Sequence, residues 1–236
     1  EGGTLVTATW VDGGDRKERG CGVIVAIEDM GQLGTRTEDP QTGPLGGEAR
    51  SSIWPHVHPR ILERIRAHHT TLIFCNARRL AERLAARLNE LAGEELVKAH
   101  HGSLAREQRL LVEDELKTGR LRAVVATSTL ELGIDLGTVD LVIQVESPGA
   151  VSRGLQRIGR AGHQVGEPST GKIFPKYRGD LLEIAVVVDR MRTGSIESTR
   201  IVRNALDVLA QQIVAMCAVD EWAVDELLAL VRRTTL

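Results

Sequence analysis

Cysteine is scarce and scattered in this 236-residue sequence: Cys21, Cys75 and Cys217 lie far apart and form no C-x-x-C pair. That spacing indicates neither a disulfide framework nor a zinc site. Apolar runs are short, and none approaches the ~18 residues needed to span a bilayer, so no membrane segment is predicted. No leader pattern is present, and the chain opens at Glu1 in strand-like sequence, which predicts an excised domain working in a reducing, cytoplasmic setting. A net charge of -2 argues against a wholesale polyanion binder. Also missing is a phosphate-binding G-x-x-x-x-G-K-[ST] loop: Ser169-Thr170-Gly171-Lys172 lacks the leading glycine and the following hydroxyl. No D-E-x-H or D-E-x-D run for magnesium occurs either. Phosphoryl transfer needs a phosphate cradle and a metal, so this chain by itself is predicted to have no ATPase activity.

What is present is an ordinary globular composition, 42% hydrophobic and 26% charged, with the charge unevenly spread. Residues 1–50 carry five bases and nine acids, whereas residues 147–180 carry six bases and two acids. The cations gather around Gln156–His163, and such a patch can hold phosphates even on an acidic chain. A basic helix end on a solvated surface is the plainer alternative.

The β-branched runs Thr4–Val11 and Gly22–Ile27 predict strands, separated by a charged turn over residues 12–19. Met30–Arg50, rich in Gly, Thr, Pro and Gln, reads as a loop. Pro55 or Pro59 opens a helix to about His68 with Ile61, Leu62 and Ile65 inward. Strand and helix then alternate. Leu72–Cys75 is a strand; Asn76 caps a helix that buries Leu80, Leu84, Leu88 and Leu91 and ends at Gly93. Leu96–Ala99 is a second strand, and Ser103 caps a helix to Lys117 stopped by Gly119. Ala123–Ala126 and Leu141–Ile143 are strands, residues 150–157 a helix and Gly171–Phe174 a strand. This alternation predicts an α/β fold with a parallel sheet. Residues 181–191, 205–219 and 224–232 look helical and predict a second, mainly helical domain.

In parallel sheets ligands gather at the carboxyl ends of the strands. The chemistry-bearing segments fall there: Cys75-Asn76-Ala77-Arg78-Arg79, His100-His101-Gly102-Ser103, and Thr127-Ser128-Thr129-Leu130-Glu131-Leu132-Gly133-Ile134-Asp135. Hydroxyls, glycines and helix starts at such ends are natural donors to phosphate and sugar oxygens. Gln156-Arg157-Ile158-Gly159-Arg160-Ala161-Gly162-His163 adds planar cations, which fork onto phosphate oxygens, and two glycines that let the loop run close to a ligand. The pairs His56/His58, His68/His69 and His100/His101 lack a supporting cysteine or carboxylate set and read as surface or capping histidines, so no metal site is assigned.

Gln156–His163 resembles the Q/H-R-x-G-R-x-G-R arginine-finger motif of superfamily-two helicases. Cys75–Arg79 matches the position of motif IV and Thr127–Asp135 resembles motif V. Together with Ser52–His56, Arg78–Leu84, His100–Leu104, Phe174–Leu181 and Asp207–Ile213, these runs resemble the large helicase-related (Lhr) family over nearly the whole chain. The resemblance implies a second RecA-like lobe over residues 53–180, preceded by interlobe strands and a flexible loop (residues 1–52). A connecting helix and the beginning of a winged-helix domain (residues 181–236) would follow it. It implies an ATP-driven DNA helicase with a role in DNA repair, with ATP and Mg2+ as cofactors and the metal held by a first lobe absent from this chain. The partners implied are that lobe and a DNA single strand or a DNA–RNA hybrid. Carried over by position, Arg160 is the finger and Gln156 and His163 face the triphosphate; an imidazole is only partly charged at neutral pH, which leaves most of the stabilisation to Arg160. Gly133 and Asp135 would lie by the ribose, grouped with Arg157, which braces the loop. Asn76, Arg78, His101, Gly102, Thr127 and Ser128 would serve the nucleic-acid strand. Rival readings are a non-catalytic nucleic-acid-binding or scaffolding module on the same fold, and a translocase that does not unwind.

Overall fold

The computed structural model describes residues 19–27, 30, 52–131, 137–162, 169–198 and 202–233. Among the described residues, six strands form one sheet: β1 (Arg19–Val23), β2 (Thr71–Phe74), β3 (Val97–His100), β4 (Ala123–Ala126), β5 (Leu141–Val145) and β6 (Ser169–Phe174). Their order across the sheet is β1-β6-β5-β2-β4-β3, and every pairing is parallel. The helices are α1 (Trp54–Ala67), α2 (Arg78–Ala92), α3 (Arg106–Lys117), α4 (Val151–Ile158), α5 (Arg178–Thr193), α6 (Leu206–Val219) and α7 (Val224–Val231). The expected α/β fold with a parallel sheet is therefore the observed one. Among the described residues, no helix is long and apolar enough to cross a membrane.

Alternation along each strand sorts the core into two layers. Ile73, Val125 and Ile143 pack with Val57, Ile61 and Ile65 of α1 and Leu80, Leu84 and Leu88 of α2. Their neighbours Leu72, Phe74, Val124 and Val142 pack on the other face with Val112 and Leu116 of α3, Val151 and Ile158 of α4, and Ile184 and Val188 of α5. Strands β2, β4 and β5 are buried along their whole length, as a sheet covered on both faces requires.

Four local expectations are corrected. Neither Asn76 nor Ser103 caps a helix: the N-caps of α2 and α3 are Ala77 and Ala105, with no side-chain capping bond. Both polar side chains are instead drawn into tertiary bonds described below. Leu91, placed in the core by its spacing, is 41% exposed; it lines an open groove beside Pro59, Leu62, Glu63 and Arg66 of α1. The first strand runs over Arg19–Val23, earlier than Gly22–Ile27, since its bounds follow its parallel register with β6 from Arg19↔Ser169 to Val23↔Ile173. The strand expected over Thr4–Val11 and the loop after Met30 lie outside the described residues.

The chain divides into two compact units, residues 1–196 and 197–236. Helix α5 belongs to the first, where Ile184, Val187, Val188 and Met191 join the core layer of α4. The second unit holds α6 and α7, neither of which buries a residue.

Two outcomes follow from this packing. Leu84 is 1% exposed, so Leu84→Ala should cost about 2–5 kcal/mol, whereas Leu91→Ala should cost less than about 1 kcal/mol. Equal shifts of the urea midpoint would contradict the layer assignment. On α1, the His58 ring stacks on Trp54 at 5.1 Å. Burial, with Arg87 adding to it, lowers the His58 pKa from 6.5 to about 4. The unfolded chain then binds this proton first, so the contribution is complete above pH 6.5 and is lost as pH falls toward 4. His58→Gln should flatten the decline of the melting temperature between pH 6.5 and about pH 5.

Candidate functional site

Because all the described strands run parallel, their carboxyl ends share one edge of the sheet. Phe74 of β2 lies in register with Ala126 of β4 and Gln144 of β5, and Ala126 with His100 of β3. Two polar clusters form where the chain leaves these strands.

The first is built around Arg157, which points inward from α4 and is 2% exposed. Its Nε donates to Glu131 Oε1 at 2.7 Å and its Nη2 donates to the same oxygen. Its Nη1 donates to Gln144 Oε1 at 2.7 Å and to Asn76 Oδ1 at 3.1 Å. The guanidinium carbon lies 5.2 Å from the centre of the Phe74 ring, within cation–π range. Burial lowers the Arg157 pKa while the hydrogen bonds and charge of Glu131 oppose that shift; the group stays protonated at any physiological pH. The partners are fixed in turn. Gln144 donates to the carbonyls of Val145 and Glu146, and Asn76 donates to the Ser147 carbonyl at 2.7 Å and to Glu146 Oε2 at 3.5 Å. Both ends of the Asn76 amide are thus engaged inside the protein, which explains why it leaves α2 uncapped. Glu146 accepts from Lys176 Nζ at 2.9 Å and holds a left-handed backbone, φ 67°, a conformation that costs a non-glycine residue about 1–3 kcal/mol.

Arg160 follows α4 after a tight turn. A Cβ on Gly159 would meet the Leu155 carbonyl oxygen at 2.8 Å, and Gly162 has φ 69° while its N–H reaches the Val139 carbonyl. These glycines serve the turn of the chain itself. The half-buried Arg160 donates from Nε and Nη2 to the Glu131 backbone carbonyl at 3.0 and 2.7 Å. Gln156 is exposed on α4. Gly133, Asp135 and His163 lie outside the described residues.

The second cluster joins β3 to α2. Arg78 Nη1 donates to Ser103 Oγ at 2.9 Å. His101 is 6% exposed; it accepts at Nδ1 from the Ser103 N–H at 3.3 Å, so Nε2 carries the proton donated to Glu82 Oε1 at 2.6 Å. Its ring is committed internally, whereas Gly102, Arg78 and Ser128 are exposed and Thr127 is half-buried. Beside it, His100 sits between Thr129 Oγ1 at 2.8 Å and Glu113 Oε1 at 3.0 Å. Burial is the largest influence on His100 and lowers its pKa, against the raising effect of Glu113.

Glu131, Gln144, Glu146 and Ser147 carry the first cluster, yet none was singled out from sequence. A signal existed for Glu131: it is the one acid before Asp135 in the Thr127–Asp135 run, and Arg153, Arg157 and Arg160 are spaced four and three apart, on one helical face.

The sequence profile of the helicase conserved C-terminal domain matches residues 57–164, from α1 to just past the Arg160 turn. That of the large helicase-related protein winged-helix domain matches residues 189–236. The chain belongs to the large helicase-related family. The "Lhr helicase/probable uracil glycosylase" of Mycolicibacterium smegmatis is 50% identical over 217 residues, covering 78% of this chain and 14% of that relative. The "ATP-dependent helicase Lhr-Core" of Methanocaldococcus jannaschii is 48% identical over 169 residues, covering 72% of this chain and 20% of that relative. The solved structure of Mycobacterium smegmatis helicase Lhr bound to ssDNA and AMP-PNP matches 93% of this chain and 28% of that one, with a TM-score of 0.80 and 50% identity. The chain thus spans a seventh to a fifth of the two curated relatives. In this Lhr-family lobe the sheet is RecA-like, and a winged-helix region follows it.

Breaking the buried pair should be costly. Arg157→Ala leaves the Glu131 carboxylate unpaired and should lower stability by about 3–5 kcal/mol, whereas replacing both residues with methionine should recover most of that loss. A single variant as stable as the pair variant in chemical denaturation would contradict the clamp.

Proposed function

We propose that this chain is the second motor lobe, with the start of the winged helix, of an ATP-dependent DNA helicase that couples ATP hydrolysis to single-strand translocation and duplex unwinding in DNA repair. The observation that carries the reading is the Arg160 guanidinium, seated by a forked bond at the carboxyl edge of the parallel sheet. A planar cation fixed there suits the charge that develops on a transferring phosphoryl group. Gln156 and His163 accompany it, Gly133 and Asp135 serve the ribose, and Arg157 acts from below by bracing the turn. Arg78, Gly102, Thr127 and Ser128, with His101 and Asn76 holding their surroundings, offer hydroxyls, backbone and one guanidinium to the phosphates of the strand.

The group fits only in part on this lobe. Cations are available, but among the described residues no three His, Cys, Asp or Glu side chains are placed to hold a metal ion. With no phosphate-binding loop in the sequence, the magnesium and the phosphate cradle belong to the other lobe. ATP bound there supplies the phosphoryl chemistry; this chain supplies the finger and half of the strand-binding edge. The Mycobacterium smegmatis relative bound to ssDNA and AMP-PNP supports both ligands.

The test is Arg160→Ala in a protein carrying both lobes. ATP turnover should fall by on the order of a thousandfold with single-strand affinity retained. Near-normal turnover would overturn the reading.

A further inference from the structure

Three arginines, at positions 153, 157 and 160, converge on one residue of another element. Glu131 receives Arg157 through its carboxylate and Arg160 through its backbone carbonyl, while Arg153 Nε lies 3.9 Å from the same carboxylate oxygen. Arg153 and Arg157 lie one helical turn apart on one face of α4, and Arg160 lies in the turn that follows it. The acid they face follows the short 3-10 turn Ser128–Leu130.

Residue 131 is held from several sides. Its N–H donates to the Ser128 carbonyl, and Leu130 before it is 1% exposed. Its carboxylate, 11% exposed, is clamped on the buried Arg157. Only the last of these depends on the identity of the Glu131 side chain. The clamp fixes the direction of the Glu131 carbonyl, and that carbonyl, taking both Nε and Nη2 of Arg160, fixes the plane of the guanidinium. A bidentate seat sets orientation as well as position, and a misplacement of about 1 Å at a reacting group can cost a hundredfold in rate.

We propose that Glu131 is the positioning residue for the Arg160 finger: its carboxylate, locked on Arg157, holds its own carbonyl where the finger is aimed. This rests on the reading of Arg160 given above. It makes the run Thr127–Glu131 a mechanical neighbour of the finger, without assigning Glu131 any contact with nucleotide.

The experiment uses a protein with both lobes and compares Glu131→Gln, Glu131→Ala and the pair Glu131→Met with Arg157→Met. Glu131→Gln keeps the volume and an acceptor but loses the charge; the methionine pair removes the clamp without leaving a buried unpaired charge. Each folded variant should lose roughly tenfold to a hundredfold in kcat for ATP, with KM for ATP and single-strand affinity within about twofold of the parent. In an Arg160→Ala background the same substitutions should lower the residual turnover no further, because the group they position is gone. A role confined to stability would instead add its loss in both backgrounds, and that outcome overturns the proposal. So does parental kcat in the folded methionine pair, which decides the matter if the single variants do not fold. Near-normal turnover of Arg160→Ala alone would sink the finger assignment, a separate failure.

Discussion

A buried guanidinium organises the carboxyl edge of this lobe. Taking a charge of that size out of water costs several kcal/mol even after relaxation, and the cost is offset only where geometry is good and the remaining donors are satisfied. Arg157 meets both conditions through Glu131, Gln144 and Asn76, with the Phe74 ring beneath it. Those acceptors lie at or beyond the ends of β4, β5 and β2. Helix α4 therefore cannot shift along the sheet without stranding a charge, and the turn that carries Arg160 inherits that constraint.

The same geometry revises the electrostatic picture of the edge. Counted along the chain, residues 147–180 are strongly basic. In space, Arg157 and Arg153 face Glu131, and Lys176 faces Glu146. The field offered to a polyanion is weaker than the count suggests, and orientation matters more than net charge. Glu146 shows the consequence. It accepts a left-handed backbone, and in that position its carboxylate reaches Lys176 and Asn76 together.

The two units of the chain differ in how much they bury. The first unit buries its apolar residues on both faces of the sheet and uses α5 as part of that packing. The profile of the family's winged-helix domain begins at residue 189, inside α5, so the last turn of a helix that packs in the first unit also falls within that profile. The first unit carries Arg160 at the carboxyl edge of its sheet, and its sequence has no phosphate-binding loop.

How much of this was legible follows from the range of the interactions. Apolar runs bounded by Gly, Pro and helix-start residues placed β2 to β6 and every helix within a few residues, because burial on two faces imprints a local pattern. The motif residues Arg157 and Arg160 were legible for a related reason, since a forked cation beside two glycines in eight residues is a rare local combination. The leucine at position 91 and the caps at Asn76 and Ser103 differ from the expectation, since spacing and propensity carry no information about how far a neighbouring helix covers a face or which distant group claims a side chain. Glu131 and Arg157 are 26 positions apart, and Asn76 and Arg157 are 81 apart. Sequence by itself determined the alternating pattern, the family and the cations. Only the tertiary structure decided which cation is enclosed and which stays partly exposed, because that choice depends on acceptors brought together by strand register.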